Sequence, residues 1–193
     1  MDRGTKVFWI IIGLLLAASV GFGTRAEDRR RAAQTRGGSL ASGDVVELLR
    51  VTDGDTVVVK TSDGQEAVVR LLGIKAFDPA PGKDPVAELG RSAVRAIEST
   101  AAGRPLRVLL HAMPQDRHGR TIATLIVGEE DLALRLVSRG HALVYPVYPF
   151  ATLPLYLDAQ NRARGQRVGL WANDAATRRA EALIAEWAKR GEE

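Results

Sequence analysis

From residue 44 onward, apolar positions first alternate with polar ones over short runs and later recur at helical spacing. Asp44 to Val51 (DVVELLRV) and Thr56 to Lys60 are rich in β-branched residues, and Asp53-Gly54-Asp55 between them is a turn signature. Two strands meeting at that turn are predicted. Ser62-Asp63-Gly64-Gln65 marks a second turn, after which Glu66 to Ile74 (EAVVRLLGI) reads as a third strand. Asp84 and Pro85 supply a cap and a first helical position for a helix that runs to Gly103. Leu106 to His111 and Thr121 to Val127 read as strands four and five. Asp131 caps a short amphipathic helix ending at Arg139-Gly140, and another helix covers Leu153 to Gly165. Asp174 to Arg190 makes a last amphipathic helix with Ala182, Leu183, Trp187 and Ala188 near one face.

Three strands, a helix, two strands and then helices predict an α+β fold that is mainly β: a five-stranded Greek-key barrel of the OB-fold kind, with a helix after the third strand. A chain of 193 residues holds one such domain with attachments. The domain is placed at residues 44–172. Residues 173–193 form a C-terminal helix that packs on the barrel or, in a sharper reading, docks a protein partner through 174–190.

Before the domain the pattern changes. Val7 to Gly23 (VFWIIIGLLLAASVGFG) has no charged residue, and it is flanked by Arg3 and Lys6 on one side and by five arginines from Arg25 to Arg36 on the other. Its length is at the short end of what spans a bilayer. Residues 1–26 therefore read as a retained membrane anchor, with a cleaved signal sequence, and so a secreted or periplasmic domain, as the alternative. The heavier basic flank follows the helix, which by the positive-inside rule points the domain to the cytoplasm, against the secreted or periplasmic alternative, and the membrane face stays open. Residues 27–43, rich in Arg, Ala, Gly and Ser, read as a flexible linker.

Charge alters the picture less than the total suggests. Residues 1–38 carry seven of the 27 Lys/Arg and three of the 23 Asp/Glu, which leaves twenty of each in the rest of the chain. The globular part is neutral, so an interaction with nucleic acid has to come from particular residues and not from a general field. The absence of cysteine excludes disulfides and thiolate metal sites. His111, His118 and His141 show no short ligand spacing, and His118 reads as a solvent-facing loop residue and not a base.

Several small motifs occur in one order: Asp53-Gly54-Asp55-Thr56, Val69 to Ile74 (VRLLGI), Gly90, Asp116-Arg117-His118-Gly119-Arg120, Leu136 to Ala142 (LVSRGHA), and Ala159 to Ala163 with Gly169-Leu170-Trp171. In this order and spacing the chain resembles the staphylococcal nuclease-like (thermonuclease) family over about residues 45–171. The resemblance implies Ca²⁺-assisted hydrolysis of phosphodiester bonds in DNA or RNA, by a domain that in this family is often secreted. It further implies Asp55 as a calcium ligand, Arg70 and Arg120 as the phosphate-binding arginines, and Asp53 as a supporting turn residue. A guanidinium suits that role because it offers parallel donors and keeps its charge at any working pH. Tyr145 and Tyr148 fall in an aromatic loop beside the family's substrate cleft, where stacking on bases would favour single-stranded substrate.

One loop departs from the family. Its usual Gly-Ile-Asp-Ala/Thr-Pro-Glu is here Gly73-Ile74-Lys75-Ala76-Phe77-Asp78. Lys75 stands in the place of a second calcium-binding aspartate, Ala76 keeps the family's small residue, Phe77 replaces a proline, and Asp78 replaces the glutamate that orients water. Three readings follow: a nuclease with a weakened or altered metal requirement, Lys75 supplying part of the positive charge and Asp78 or Glu88 covering for missing carboxylates; a pseudo-nuclease that binds phosphate without cleaving it; and a purely structural or protein-interaction module.

Overall fold

The computed structural model describes residues 39–82, 86–147 and 149–190. The stretch read above as a membrane helix, most of the linker, Asp84, Pro85 and Tyr148 lie outside them. Among the described residues, no helix is long and apolar enough to cross a membrane.

Strands β1 (Val45–Asp53), β2 (Thr56–Lys60) and β3 (Glu66–Leu71) form the expected antiparallel meander. β1 also pairs with β5 (Pro105–Gln115), and β5 with β6 (Thr121–Val127), both antiparallel. β3 and β6 then meet in parallel, with Val69 opposite Thr121 and Leu71 opposite Ala123. That last pairing closes five strands into a barrel in the order β3-β2-β1-β5-β6, an α+β architecture of OB-like kind.

The alternation seen in the sequence fills the barrel. Val57 and Val59 of β2, Ala67, Val69 and Leu71 of β3, Leu106 and Val108 of β5, and Ala123, Leu125 and Val127 of β6 all point into one core. In β1 the inward residues are Val46, Leu48 and Val51. The step of three between the last two follows a register shift between Leu48 and Arg50, a bulge that turns the strand over.

The structure corrects the sequence reading in five places. β3 ends at Leu71, and Ile74–Lys75 forms a separate short strand, β4, paired with β8 (Leu143–Val144); Gly73, at φ 73°, turns the chain between them. β5 runs on to Gln115 instead of stopping at His111. The first helix, α1, is Ala87–Ala101 with Val86 as its N-cap, so it opens after the expected Asp84-Pro85. The end of the supposed linker is held down: Leu40 is buried in the barrel core, Gly43 N–H donates to Val108 O, and Ser42 Oγ accepts from Leu110 N–H. The C-terminal helix packs by a face that keeps Leu183 and Trp187 of the expected set but has Ala176, Ala180 and Ile184 in place of Ala182 and Ala188.

α1 lies on the barrel by a stripe in which Gly90, Ala93 and Ala101 are small and Ile97 is the one large side chain. β7 (Glu130–Asp131) leads into α2 (Leu132–Ser138), whose first turn is capped by Asp131 through Ala133 N–H and Leu134 N–H. The other Asp131 oxygen accepts from Tyr156 Oη at 2.6 Å, tying down α3 (Leu153–Gly165). A 3-10 turn (Gly169–Ala172) then leads into α4 (Asp174–Arg190). α4 buries Ala176, Ala180 and Trp187 against Phe77, Leu143, Leu170 and Trp171, a second core beside the barrel; Ala182 and Ala188 are exposed.

Candidate active site

The turn between β1 and β2 sets the first carboxylate. Asp53 Oδ1 accepts Asp55 N–H at 3.0 Å, and Gly54 allows the turn to press on its neighbours: a Cβ there would lie 2.5 Å from Ala76 Cβ and 2.6 Å from Ala93 Cβ. Asp55 is thereby driven inward until its side chain is 1% exposed. A buried carboxylate must be fully partnered, and this one is. Oδ2 accepts Ala76 N–H at 3.0 Å and lies 3.1 Å from Lys75 Nζ. Oδ1 accepts Thr56 Oγ1–H at 3.1 Å and pairs with Arg70 Nη1.

Strand register brings the two arginines together. Arg70 stands opposite Thr56 on β2 and opposite Ile122 on β6, and Arg120 comes two residues before Ile122. Arg70 Nη2 also donates to Ile74 O at 2.9 Å. Arg120 is aimed by Asp116, whose Oδ2 accepts from Nε and Nη2, both at 2.7 Å, while Arg120 Nη1 donates to Thr56 Oγ1 at 3.2 Å. Asp116 Oδ1 holds the loop itself, through His118 N–H and Arg120 N–H. One network therefore runs from Asp116 through Arg120, Thr56 and Asp55 to Arg70 and Lys75. Burial, and then the Arg120 guanidinium, lower Arg70 to about 10; burial, and then Arg70, lower Lys75. Burial opposes the Asp116 carboxylate, but the hydrogen bonds from Arg120 and His118 outweigh it and hold Asp116 below the usual range.

The departing loop is fixed by packing. Phe77 is 5% exposed in the second core, so burial stiffens the loop without the family's proline. Gly90 gives the loop its seat, since a Cβ there would lie 2.5 Å from Phe77 O and 2.8 Å from Pro79 N.

These elements enclose a cleft of about 640 Å³ lined by Arg70, Lys75, Ala76, Asp78, Arg120 and Tyr145 among others. Asp78 is exposed and accepts Ala80 N–H at 2.8 Å. Tyr145 meets Trp187 edge-on at 5.0 Å between ring centres, so its ring is held by another ring. Asp53 and Glu88 do not line the cleft. Glu88 instead pairs with Arg91 and Arg95 on exposed helix surface, and this removes it as a substitute carboxylate.

Sequence reasoning assigned no role to Thr56, which joins the two halves of the network, or to Asp116, which directs Arg120; both lie inside motifs it quoted. It also missed Arg179, Leu183, Glu186 and Trp187 of α4, which form a further wall of the cleft. Their spacing over two turns puts them on one helical face, but nothing local tells where that face will land.

The donor set does not fit a calcium ion. Ca²⁺ takes about six to eight oxygen ligands, whereas among the described residues no group of three or more His, Cys, Asp or Glu could hold a metal. Both Asp55 oxygens are engaged, one of them by an ammonium. Asp53 is turned to its own backbone turn.

Comparison with known proteins agrees with the fold. The family model described as "Staphylococcal nuclease homologue" matches residues 68–173, so Asp55 precedes the matched stretch and α4 follows it. The chain is 28% identical over 131 residues to a thermonuclease of Staphylococcus intermedius, covering 67% of this chain and 77% of that protein. It is 25% identical over 174 residues to a thermonuclease of Staphylococcus hyicus, covering 90% and 100%. It is 28% identical over 127 residues to an uncharacterized endonuclease of Haemophilus influenzae, covering 66% of each.

Proposed function

Because this chain belongs to the family of staphylococcal nuclease homologues, we propose that it hydrolyses phosphodiester bonds within single-stranded DNA or RNA. The observation that carries this reading is the convergence of Arg70, Lys75 and Arg120 on one cleft. Phosphoryl chemistry asks a protein mainly for positioning and for charge where the transition state develops it. A guanidinium has five N–H groups, so each arginine can meet a phosphate oxygen after its bonds to Asp55, Ile74, Asp116 or Thr56 are made. Those bonds hold both groups in place before substrate arrives. Asp78, an exposed carboxylate that lines the cleft, as Glu186 also does, orients the attacking water. The volume is that of a small-ligand pocket, which suits an unpaired nucleotide and not a stacked pair. Tyr145, braced by Trp187, offers a ring to a base.

A second reading, phosphate binding without cleavage, is favoured by one observation: the buried carboxylate is wholly taken up by cations and backbone, leaving Asp78 to act on water. Incubating the purified full chain with single-stranded DNA and RNA, in Ca²⁺, Mg²⁺, Mn²⁺ and chelator in turn, separates the two. A folded chain that cuts neither polymer under any condition would falsify the hydrolytic reading. Residues 7–23 tether the domain to a membrane in this proposal; recovery of the full chain in the soluble fraction of lysed cells would remove that part.

A further inference from the structure

The misfit between the donor set and a divalent cation has a positive side. Lys75 Nζ sits 3.1 Å from Asp55 Oδ2, on an oxygen that the next residue's backbone N–H also holds. Side chain and backbone of Lys75-Ala76 thus grip one carboxylate oxygen, while Arg70 and Thr56 take the other. The lysine stem is partly buried and its side chain is 46% exposed, so the ammonium stands at the boundary between Asp55 and the cleft it lines.

Charge accounting shows what this achieves. Asp116 and Arg120 cancel, and Asp55 cancels one of Arg70 and Lys75, so the network carries a single net positive charge. A carboxylate at position 75 together with a bound divalent cation would carry the same charge. One lysine therefore does electrostatically what an acid and a metal ion would do jointly, and it repels a second cation from the same place. An ammonium has three donors; with one on Asp55, others can reach a phosphate oxygen in the cleft.

The geometry points to a tethered cation: Lys75 takes the place of a divalent metal at Asp55, so that this cleft binds the phosphate of a nucleic acid strand without any metal ion. This deepens the nuclease reading of the same site and rests on it for the choice of ligand, but it concerns binding and is tested apart from cleavage.

The test uses the folded full chain and a labelled, phosphorothioate-blocked single-stranded DNA, with affinity measured in chelator and in Ca²⁺. Equal affinity in both is expected. Lys75→Met should weaken binding on the order of tenfold to a hundredfold, the loss of a charge-assisted hydrogen bond, and Lys75→Arg should retain most of it. Lys75→Asp should bind DNA only when Ca²⁺ is present, and should take up Ca²⁺ in calorimetry where the wild type does not. Binding by the wild type that requires Ca²⁺, calorimetric uptake of Ca²⁺ by the wild type, or no binding in either buffer overturns the inference. Cleavage of unmodified DNA is read in parallel. Metal-free binding with no cleavage in any metal removes the hydrolytic reading and keeps the tethered cation; cleavage together with binding that requires Ca²⁺ does the opposite.

Discussion

The cleft has two carboxylate-centred halves that are built differently. At Asp116 one carboxylate directs one arginine, with its second oxygen holding the loop backbone. The side chains there are 6% and 28% exposed. At Asp55 one carboxylate, 1% exposed, is shared by an arginine and a lysine. The first half is a neutral pair that sets a direction. The second is a buried anion in cationic surroundings, and it leaves charge over. What the contrast teaches is a division of labour: Asp116 contributes geometry, whereas Asp55 makes it possible to keep two cations next to each other at all.

The contrast can be broken most severely at Asp55. Asp55→Ala strands Arg70 and Lys75 without their shared counter-charge, and should cost about 3 to 5 kcal/mol of stability in urea denaturation, the usual cost of unpairing buried ions. A cost below about 1 kcal/mol, the range of exposed pairs, would mean that the two halves are equivalent after all. Next comes Arg120→Ala, which should leave the melting transition nearly in place and lower cleavage on the order of 10²- to 10³-fold, as for a lost transition-state donor. Asp116→Ala should follow Arg120→Ala in activity but lose less stability than Asp55→Ala; a larger stability loss than Asp55→Ala would reverse the assignment of roles. Lys75→Met sharpens the picture further: with its side chain 46% exposed, the change in stability should stay within about 1 kcal/mol even as phosphate binding falls. The smallest effect belongs to Glu88→Gln, for which neither cleavage rate nor melting temperature should move, because its ion pairs lie on exposed helix surface outside the cleft.

How far the site was legible beforehand follows the same division. The strands were readable because inward residues alternate, and Asp55, Arg70 and Arg120 were singled out by motif order. The structure gathers all three into one network. Asp53 was expected to support the turn, and its Oδ1 does accept Asp55 N–H there, whereas Glu88, named as a substitute carboxylate, pairs with Arg91 and Arg95 on the helix surface instead. The fate of Lys75 was not readable, since a loop lysine and an ion-paired one look alike until the turn at Gly73 and the seat at Gly90 direct the loop toward Asp55. The α4 wall was hidden for a related reason: Ala176, Ala180 and Trp187 share a core with Phe77 and Leu143, residues far from them in the chain. The two-residue strands β4 and β8 are too short to carry an alternation of their own.

The parallel pairing of β3 with β6 has a consequence in time. Val69 to Leu71 must find Thr121 to Ala123 across some fifty residues, and contacts of such sequence separation form slowly because the intervening chain loses its freedom first. Arg70 and Arg120 stand on either side of that seam. A chain that has folded its meander without joining this seam possesses strands and no cleft, so a surface able to meet phosphate exists only once the seam is paired.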